Sequence, residues 1–147
     1  MSDEKPFALT AVWNPEAKEG SFESETGTLC MTYGGAASLG GKDGVTNPEE
    51  LLLASLSACF LQTWAIFIGK LKLPIEKPLV DATCIVDKDP AGGFHVTRVN
   101  LAPHVPAALL AERQADVEKS LQLAEKYCII SKVLKGQATL SVAGKAV

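Results

Sequence analysis

The feature that most constrains this chain is an uncharged, largely apolar stretch at 51–69, which reads LLLASLSACFLQTWAIFIG. It carries a cysteine, Cys59, near its middle, and a second cysteine, Cys128, precedes a short helix-like segment late in the chain. A thiol inside an apolar helix and a second thiol far away in sequence form a candidate redox pair. Two inert core cysteines are the alternative, because free cysteine is among the residue types most often buried.

The same stretch has to be compared with a membrane span, because its length of about 19 residues is near the roughly 20 that cross a bilayer. Polar side chains at Ser55, Gln62 and Thr63 dilute its apolar character. A helix that is apolar on all sides is also typical of the centre of a globular protein or of an oligomer interface. We therefore expect a soluble protein with no membrane partner, and a small membrane-associated protein is the alternative.

Composition limits the class of protein and its partners. The chain has 147 residues, and this length predicts a single domain over 1–147. Its formal net charge of −3 argues against nucleic acid as a partner. The first residues contain no apolar signal segment, so we expect a cytoplasmic protein with reduced thiols. The cysteines and histidines lack the spacing of a zinc site, so we expect no structural zinc.

Turn residues and hydrophobic periodicity predict a mixed fold. The strands are predicted at 7–13, 21–26, 29–33, 79–87, 94–101 and 137–142, and the helices at 48–68, 107–126 and 129–135. Asn47 is the expected N-cap of the first helix, with Glu50 at the capping-box position and Gly69 as the C-terminal stop. This order predicts an α+β fold with antiparallel β-sheets around a long buried central helix.

The two candidate thiols differ in their expected surroundings. Cys59 lies about three turns inside its helix, where the helix dipole has faded and apolar burial raises a thiol pKa. A reactive Cys59 therefore needs a group outside its own helix to stabilise the thiolate. Cys128 lies at a helix start, where free backbone N–H groups favour a thiolate. We interpret the other two cysteines, Cys30 and Cys84, as residues of the core.

Two separate motifs resemble those of the OsmC/Ohr family of thiol-dependent hydroperoxide reductases. The first is the segment TNPEEL at 46–51, followed by ACF at 58–60. The second is CIISKVL at 128–134, which resembles the second cysteine motif of the family, usually Cys-Pro-Val-Ser. The motifs are separated by about 70 residues, and the elements between them follow the family's order. The resemblance therefore covers nearly the whole chain.

This resemblance implies a two-cysteine peroxidase that serves in oxidative stress defence. Cys59 matches the position that attacks an organic hydroperoxide and becomes a sulfenic acid, and Cys128 matches the position that then forms a disulfide with it. An external dithiol, such as a lipoyl protein, or a small thiol restores both thiols, and no metal or organic cofactor is needed. We expect an apolar wall around Cys59, formed by Leu56, Phe60 and Trp64, which suits a fatty or aryl hydroperoxide.

Two departures from the family pattern leave an alternative open. The family pairs an arginine from the N-terminal region with the carboxylate that matches Glu49, whereas the arginines of this chain, Arg98 and Arg113, both follow Cys59. Lys42 or Lys18 are the candidate substitutes, although a lysine lacks the bidentate fork of arginine. The second departure is Ile129, which replaces the proline after the second cysteine. The alternative is an OsmC-fold protein that binds an apolar ligand or performs other thiol chemistry at the same pocket.

The position of Glu49 predicts an intertwined homodimer. Glu49 and Cys59 are ten residues apart, which is about 15 Å along one continuous helix. A carboxylate that serves this thiol must therefore come from the antiparallel helix of a partner, with the sites at a two-fold interface. The alternative role for Glu49 is a helix-start charge that the helix dipole favours.

Overall fold

A computed structural model describes residues 2–147 of the chain. The strands are β1 (Leu9–Asn14), β2 (Glu19–Ser24), β3 (Cys30–Gly34), β4 (Val80–Lys88), β5 (Phe94–Val105), β6 (Thr139–Val142) and β7 (Lys145–Ala146). The helices are α1 (Pro48–Lys70), α2 (Ala107–Tyr127) and α3 (Ile129–Leu134), with a 3₁₀ turn at Ala37–Leu39. The chain divides into two compact units, one ending at Leu52 and one running from Leu53 to Val147. That both belong to a single domain stays a prediction.

The unit that ends at Leu52 contains an antiparallel meander in the order β1-β2-β3. In the turn after β1, the side chain of Asn14 accepts hydrogen bonds from two backbone N–H groups. On the sheet, the rings of Phe22 and Tyr33 stack with their centroids 5.2 Å apart. Lys42 forms an ion pair with Glu19 at 2.7 Å. The three predicted strands are confirmed, with ends shifted by one to two residues.

The start of α1 forms where the capping signals predicted it. Asn47 Oδ1 accepts a hydrogen bond from the backbone N–H of Glu50 at 2.9 Å, as an N-cap side chain does. The side chain of Glu50 differs from the predicted capping box, because its Oε2 accepts from the hydroxyl of Thr46 at 2.8 Å. The predictions of Asn47 as N-cap and of Pro48 as the first helical residue are therefore confirmed. The predicted capping-box bond from the Glu50 side chain back to Asn47 is wrong, because that side chain bonds to Thr46.

The end of α1 lies beyond the predicted stop. Gly69 is helical, and the left-handed residue that closes the helix is Lys72, with φ of 51°. The Leu73 N–H donates to the Ile68 carbonyl at 2.9 Å, which with the positive φ makes a Schellman-type ending. Arg113 stabilises this ending, because its guanidinium donates to the carbonyls of Leu71 and Lys72 at 2.8 and 2.9 Å.

Only one stripe of α1 is buried in the single chain. Leu56, Phe60, Trp64 and Ile68 recur every four residues and are buried. Other apolar positions remain accessible, and Ile66 is 56% exposed. Burial within one chain therefore accounts for only part of the apolar surface of α1. By length and composition α1 is sufficient to span a bilayer, a criterion that core helices of soluble proteins also meet.

The unit from Leu53 to Val147 contains a four-stranded sheet organised around β5. The antiparallel β4–β5 hairpin was predicted, whereas β6 and β7 pair with β5 in parallel. β5 also continues through Pro103 instead of ending at Leu101. The N–H of His104 donates to Leu79 on the β4 side, so the ring nitrogen of Pro103 faces the other edge. There Pro103 lies between the β6 and β7 pairings and interrupts neither.

A buried hydrogen bond joins α1 to α2 in the core of this unit. Trp64 Nε1 donates to Ser120 Oγ at 2.9 Å, and Ser120 in turn donates to the Val117 carbonyl at 2.7 Å. Both Trp64 and Ser120 are fully buried. Since a buried indole N–H needs an acceptor, this bond fixes the rotation of α1 against α2.

Candidate active site

The structure brings the two predicted redox cysteines together. The thiols of Cys59 in α1 and Cys128 between α2 and α3 are hydrogen-bonded to each other. Cys59 is partly exposed, whereas Cys128 is fully buried. The arrangement places an accessible sulfur directly against a protected one, as thiol–disulfide chemistry requires.

Cys128 is held in place by the junction of two helices. Its backbone is extended, with φ of −66° and ψ of 117°, so the chain changes direction between α2 and α3. The Cys128 N–H donates to the Ala124 carbonyl at the end of α2 at 2.9 Å. Its Sγ accepts from the Ser131 N–H at 3.4 Å and acts as the N-cap of α3. The predicted helix start at Cys128 is confirmed.

The pKa of Cys59 is lowered by groups outside its own helix. Burial raises the pKa of this thiol, but hydrogen bonds from the Ile130 N–H, the Cys128 thiol and the Ile129 N–H together outweigh burial. The side chain of Thr63, one turn later in α1, adds a smaller lowering effect. The first turn of α3 thus supplies the thiolate-stabilising group that the sequence required but did not identify.

The pKa of Cys128 shifts the other way. Burial raises it most, and the neighbouring Cys59 raises it further, while the Ser131 N–H, which donates to Cys128 Sγ, opposes the shift. The sequence favoured Cys128 as the thiol activated by a helix start, and the structure reverses this. Cys59 is therefore the better nucleophile and Cys128 the thiol that keeps its proton.

The remaining predicted positions have mixed outcomes. Leu56, Phe60 and Trp64, expected as a wall of the site, are fully buried core residues. Cys30 is exposed rather than part of the core, and Cys84 is partly exposed. Across residues 2–147, no three His, Cys, Asp or Glu side chains are grouped so as to hold a metal ion.

Glu49 lies in the first turn of α1 and belongs to the unit that ends at Leu52. Its Oε2 is buried and has no hydrogen-bond partner among the described residues. In the same unit Lys42, a candidate substitute for the family arginine, is paired with Glu19. A role for Glu49 in the site stays a prediction.

Comparison with known proteins identifies the family. The family described as OsmC-like protein matches residues 41–143. Peroxiredoxin OsmC of Escherichia coli is 31% identical over 134 residues, which are 88% of this chain and 90% of that protein. Organic hydroperoxide resistance protein-like 2 of Staphylococcus epidermidis is 29% identical over 132 residues, 88% of this chain and 89% of that protein.

A solved structure shares the fold over nearly the full length. An organic hydroperoxide resistance protein OsmC from Legionella pneumophila superposes with a TM-score of 0.82 at 23% identity, covering 99% of this chain and 100% of that one. The mixed α+β fold with a long helix is therefore that of this group of structures. With the family match over more than half of its length, the chain belongs to the family of OsmC-like proteins.

Proposed function

We propose that this protein is a thiol peroxidase that reduces organic hydroperoxides through Cys59 and Cys128. The observation that carries the proposal is the contact between a thiol of lowered pKa and a buried thiol of raised pKa. Support also comes from relatives named peroxiredoxin OsmC and organic hydroperoxide resistance protein-like 2. We expect the protein to act in the cytoplasm in defence against oxidative stress.

The first step oxidises Cys59. Its thiolate sulfur attacks the terminal oxygen of the hydroperoxide, the O–O bond breaks, and the leaving alkoxide takes up a proton to become an alcohol. Cys59 is then a sulfenic acid. The N–H groups of Ile129 and Ile130 favour this step because they lower the pKa of the Cys59 thiol and so increase its thiolate fraction before the substrate arrives.

The second step consumes the proton that Cys128 retains. The Cys128 sulfur attacks the sulfur of the Cys59 sulfenic acid, an S–S bond forms, and the hydroxyl leaves as water with the Cys128 proton. An external dithiol then reduces the disulfide and is itself oxidised to a disulfide. One turnover therefore converts a hydroperoxide and a dithiol into an alcohol, water and an oxidised dithiol, with no further cofactor.

We also propose that two chains form a homodimer through α1. Exposed small residues, Ala54, Ala58 and Ala65, lie on one face of this helix, which allows a second helix to approach closely. The role predicted for Glu49, in which its carboxylate serves the partner's Cys59, is a separate part of this proposal, because Cys59 lies about 120° around α1 from the alanine face. Sedimentation at micromolar concentration is expected to give a dimer, and a stable monomer would overturn this assembly.

The test of function follows the consumption of cumene hydroperoxide with a dithiol reductant. We expect rapid turnover by the wild type, none by Cys59→Ser, and strongly reduced turnover by Cys128→Ser, whose Cys59 sulfenic acid a dimedone probe still captures. Cys30→Ser changes an exposed cysteine outside the pair and serves as the control. A folded wild type that consumes no hydroperoxide refutes the proposal.

One observation favours a second candidate function. The Glu49 carboxylate lacks a cationic partner among residues 2–147, whereas the family pattern pairs it with an arginine. A site without that cation suits binding of an apolar ligand, or other thiol chemistry, at the same place. Binding of an apolar ligand by a protein that fails the peroxidase assay would support this reading.

A further inference from the structure

A groove of about 410 Å³ lies between α1 and α2, on the same face of α1 as Cys59. Its lining residues are Thr63, Ile66, Phe67, Lys70, Leu123 and Tyr127. All of them belong to the unit from Leu53 to Val147. The groove is mainly apolar, with a single cationic residue at its far end.

One end of this groove reaches the turn of α1 that carries Cys59. Thr63 lines the groove, and its hydroxyl donates to the backbone carbonyl of Cys59 at 2.8 Å. Tyr127 lines the opposite wall and directly precedes Cys128 in the chain. A molecule lying in the groove therefore has one end within a helical turn of Cys59.

The other end of the groove presents a positive charge. Cys59, Ile66 and Lys70 lie within an arc of about 60° on one face of α1, and Lys70 is about 16 Å further along the axis than Cys59. The ammonium of Lys70 lies 5.5 Å from the centroid of the Phe67 ring, which itself stacks on Tyr127. Among residues 2–147 no carboxylate forms an ion pair with Lys70, so its charge is available to a ligand.

The groove faces away from the surface assigned to the partner. At 100° per residue, the face of Ala54, Ala58 and Ala65 lies about 130° around α1 from the face of Cys59 and Lys70. A partner helix that packs on the alanine face leaves this groove open to substrate.

We infer that Lys70 is a specificity-determining residue that selects hydroperoxides carrying a free carboxylate at the far end of an apolar chain. This inference rests on the proposed peroxidase function and specifies how the substrate is oriented in the groove. The carboxylate lies at Lys70, the hydrocarbon lies along Ile66, Phe67 and Tyr127, and the peroxide lies at Cys59. A long-chain fatty acid with a hydroperoxide in the middle of its chain has this arrangement of groups.

The test compares linoleic acid 13-hydroperoxide with its methyl ester, which has the same chain but no negative charge. The measured quantity is the ratio of kcat/KM for the acid to kcat/KM for the ester, because a general loss of fold or thiol reactivity cancels in this ratio. We expect Lys70→Gln to lower the ratio about two- to fivefold, the range for a solvent-accessible ion pair. Lys70→Arg should preserve the ratio, and Lys119→Gln, a change to an exposed lysine of α2, should leave it unaltered.

A binding measurement separates this inference from the proposed reaction. The 13-hydroxy derivative of linoleic acid and its methyl ester carry no peroxide. Calorimetric titration below micelle-forming concentrations reports their affinities for the protein directly. We expect the wild type to bind the acid more tightly than the ester, with the difference lost in Lys70→Gln and reduced by salt. Equal binding of acid and ester, or a difference that persists in Lys70→Gln, overturns the role of Lys70 whether or not the peroxidase reaction is observed.

Discussion

Replacing Ile129 by proline tests the assignment that backbone N–H groups of α3 hold the Cys59 thiolate. Proline suits the first position of a helix, which Ile129 occupies in α3, but it has no N–H to donate. The substitution therefore removes one hydrogen bond to the sulfur while leaving the helix compatible with its new residue. It also restores the residue that is usual in the family motif.

The expected rise in the pKa of Cys59 depends on how strongly the Ile129 N–H acts on this thiol and on how exposed the thiol is. A hydrogen bond to a charged group contributes about 1.5–3 kcal/mol. The Ile129 N–H ranks below the Ile130 N–H and the Cys128 thiol in its effect on Cys59. Cys59 is also partly exposed, so water offsets part of the loss. We expect a loss of about 1 kcal/mol, which lowers the thiolate fraction about fivefold at pH values below the pKa of Cys59.

The assay is the rate of alkylation of Cys59 by iodoacetamide as a function of pH, read by mass spectrometry of the Cys59 peptide. Ile129→Ala is the matched control, because it removes the same side chain but keeps the backbone N–H. We expect Ile129→Pro to move the alkylation profile to higher pH and Ile129→Ala to retain the wild-type profile. Identical profiles for the two variants would refute the role of the α3 backbone in activating the thiol.

Three further predictions concern stability. Ser120→Ala leaves the buried Trp64 indole without an acceptor and should lower the free energy of unfolding by about 1–3 kcal/mol in urea titrations; the cost should shrink in a Trp64→Phe background. Arg113→Gln removes the donors to the carbonyls of Leu71 and Lys72, just after α1, and should lower the free energy of unfolding by about 1–2 kcal/mol in the same titration. An unchanged midpoint would contradict a stabilising role for Arg113. Lys145 and His104 lower the pKa of Asp81 to about 2, so its stabilising effect is complete above pH 3.8 and is lost as the pH falls toward 2. Asp81→Asn should flatten the dependence of unfolding free energy on pH across this interval.

Local signals in the sequence predicted the parts of the fold that depend on neighbouring residues. The N-cap at Asn47 and the β4–β5 hairpin follow from side-chain chemistry within a few positions, and both are confirmed. The parallel pairing of β6 and β7 was missed because it joins segments distant in sequence. The end of α1 was misplaced because Lys72, not Gly69, adopts the left-handed conformation, and the distant Arg113 stabilises it.

The candidate site was only partly predictable for a similar reason. Cys59 and Cys128 were identified as a pair through the resemblance to a family, and their contact in the structure agrees with that pairing. The N–H groups of Ile129 and Ile130 leave no trace in side-chain identity, because every residue except proline carries the same donor. Thr63 could have been found, since a residue four positions after Cys59 lies on the same face of α1.

The hydrogen bonds from Arg113 to the carbonyls of Leu71 and Lys72 have a consequence for the oxidised protein. A disulfide requires its sulfurs to approach to about 2.05 Å, much closer than hydrogen-bonded thiols lie. Arg113 ties α1 to α2 beyond the site, so the shift that closes this gap is expected in α3, a helix of six residues. The N–H groups of Ile129 and Ile130 then lose the anion they had solvated and must turn to water. We therefore expect the disulfide form to differ from the reduced protein mainly in the order of this short helix.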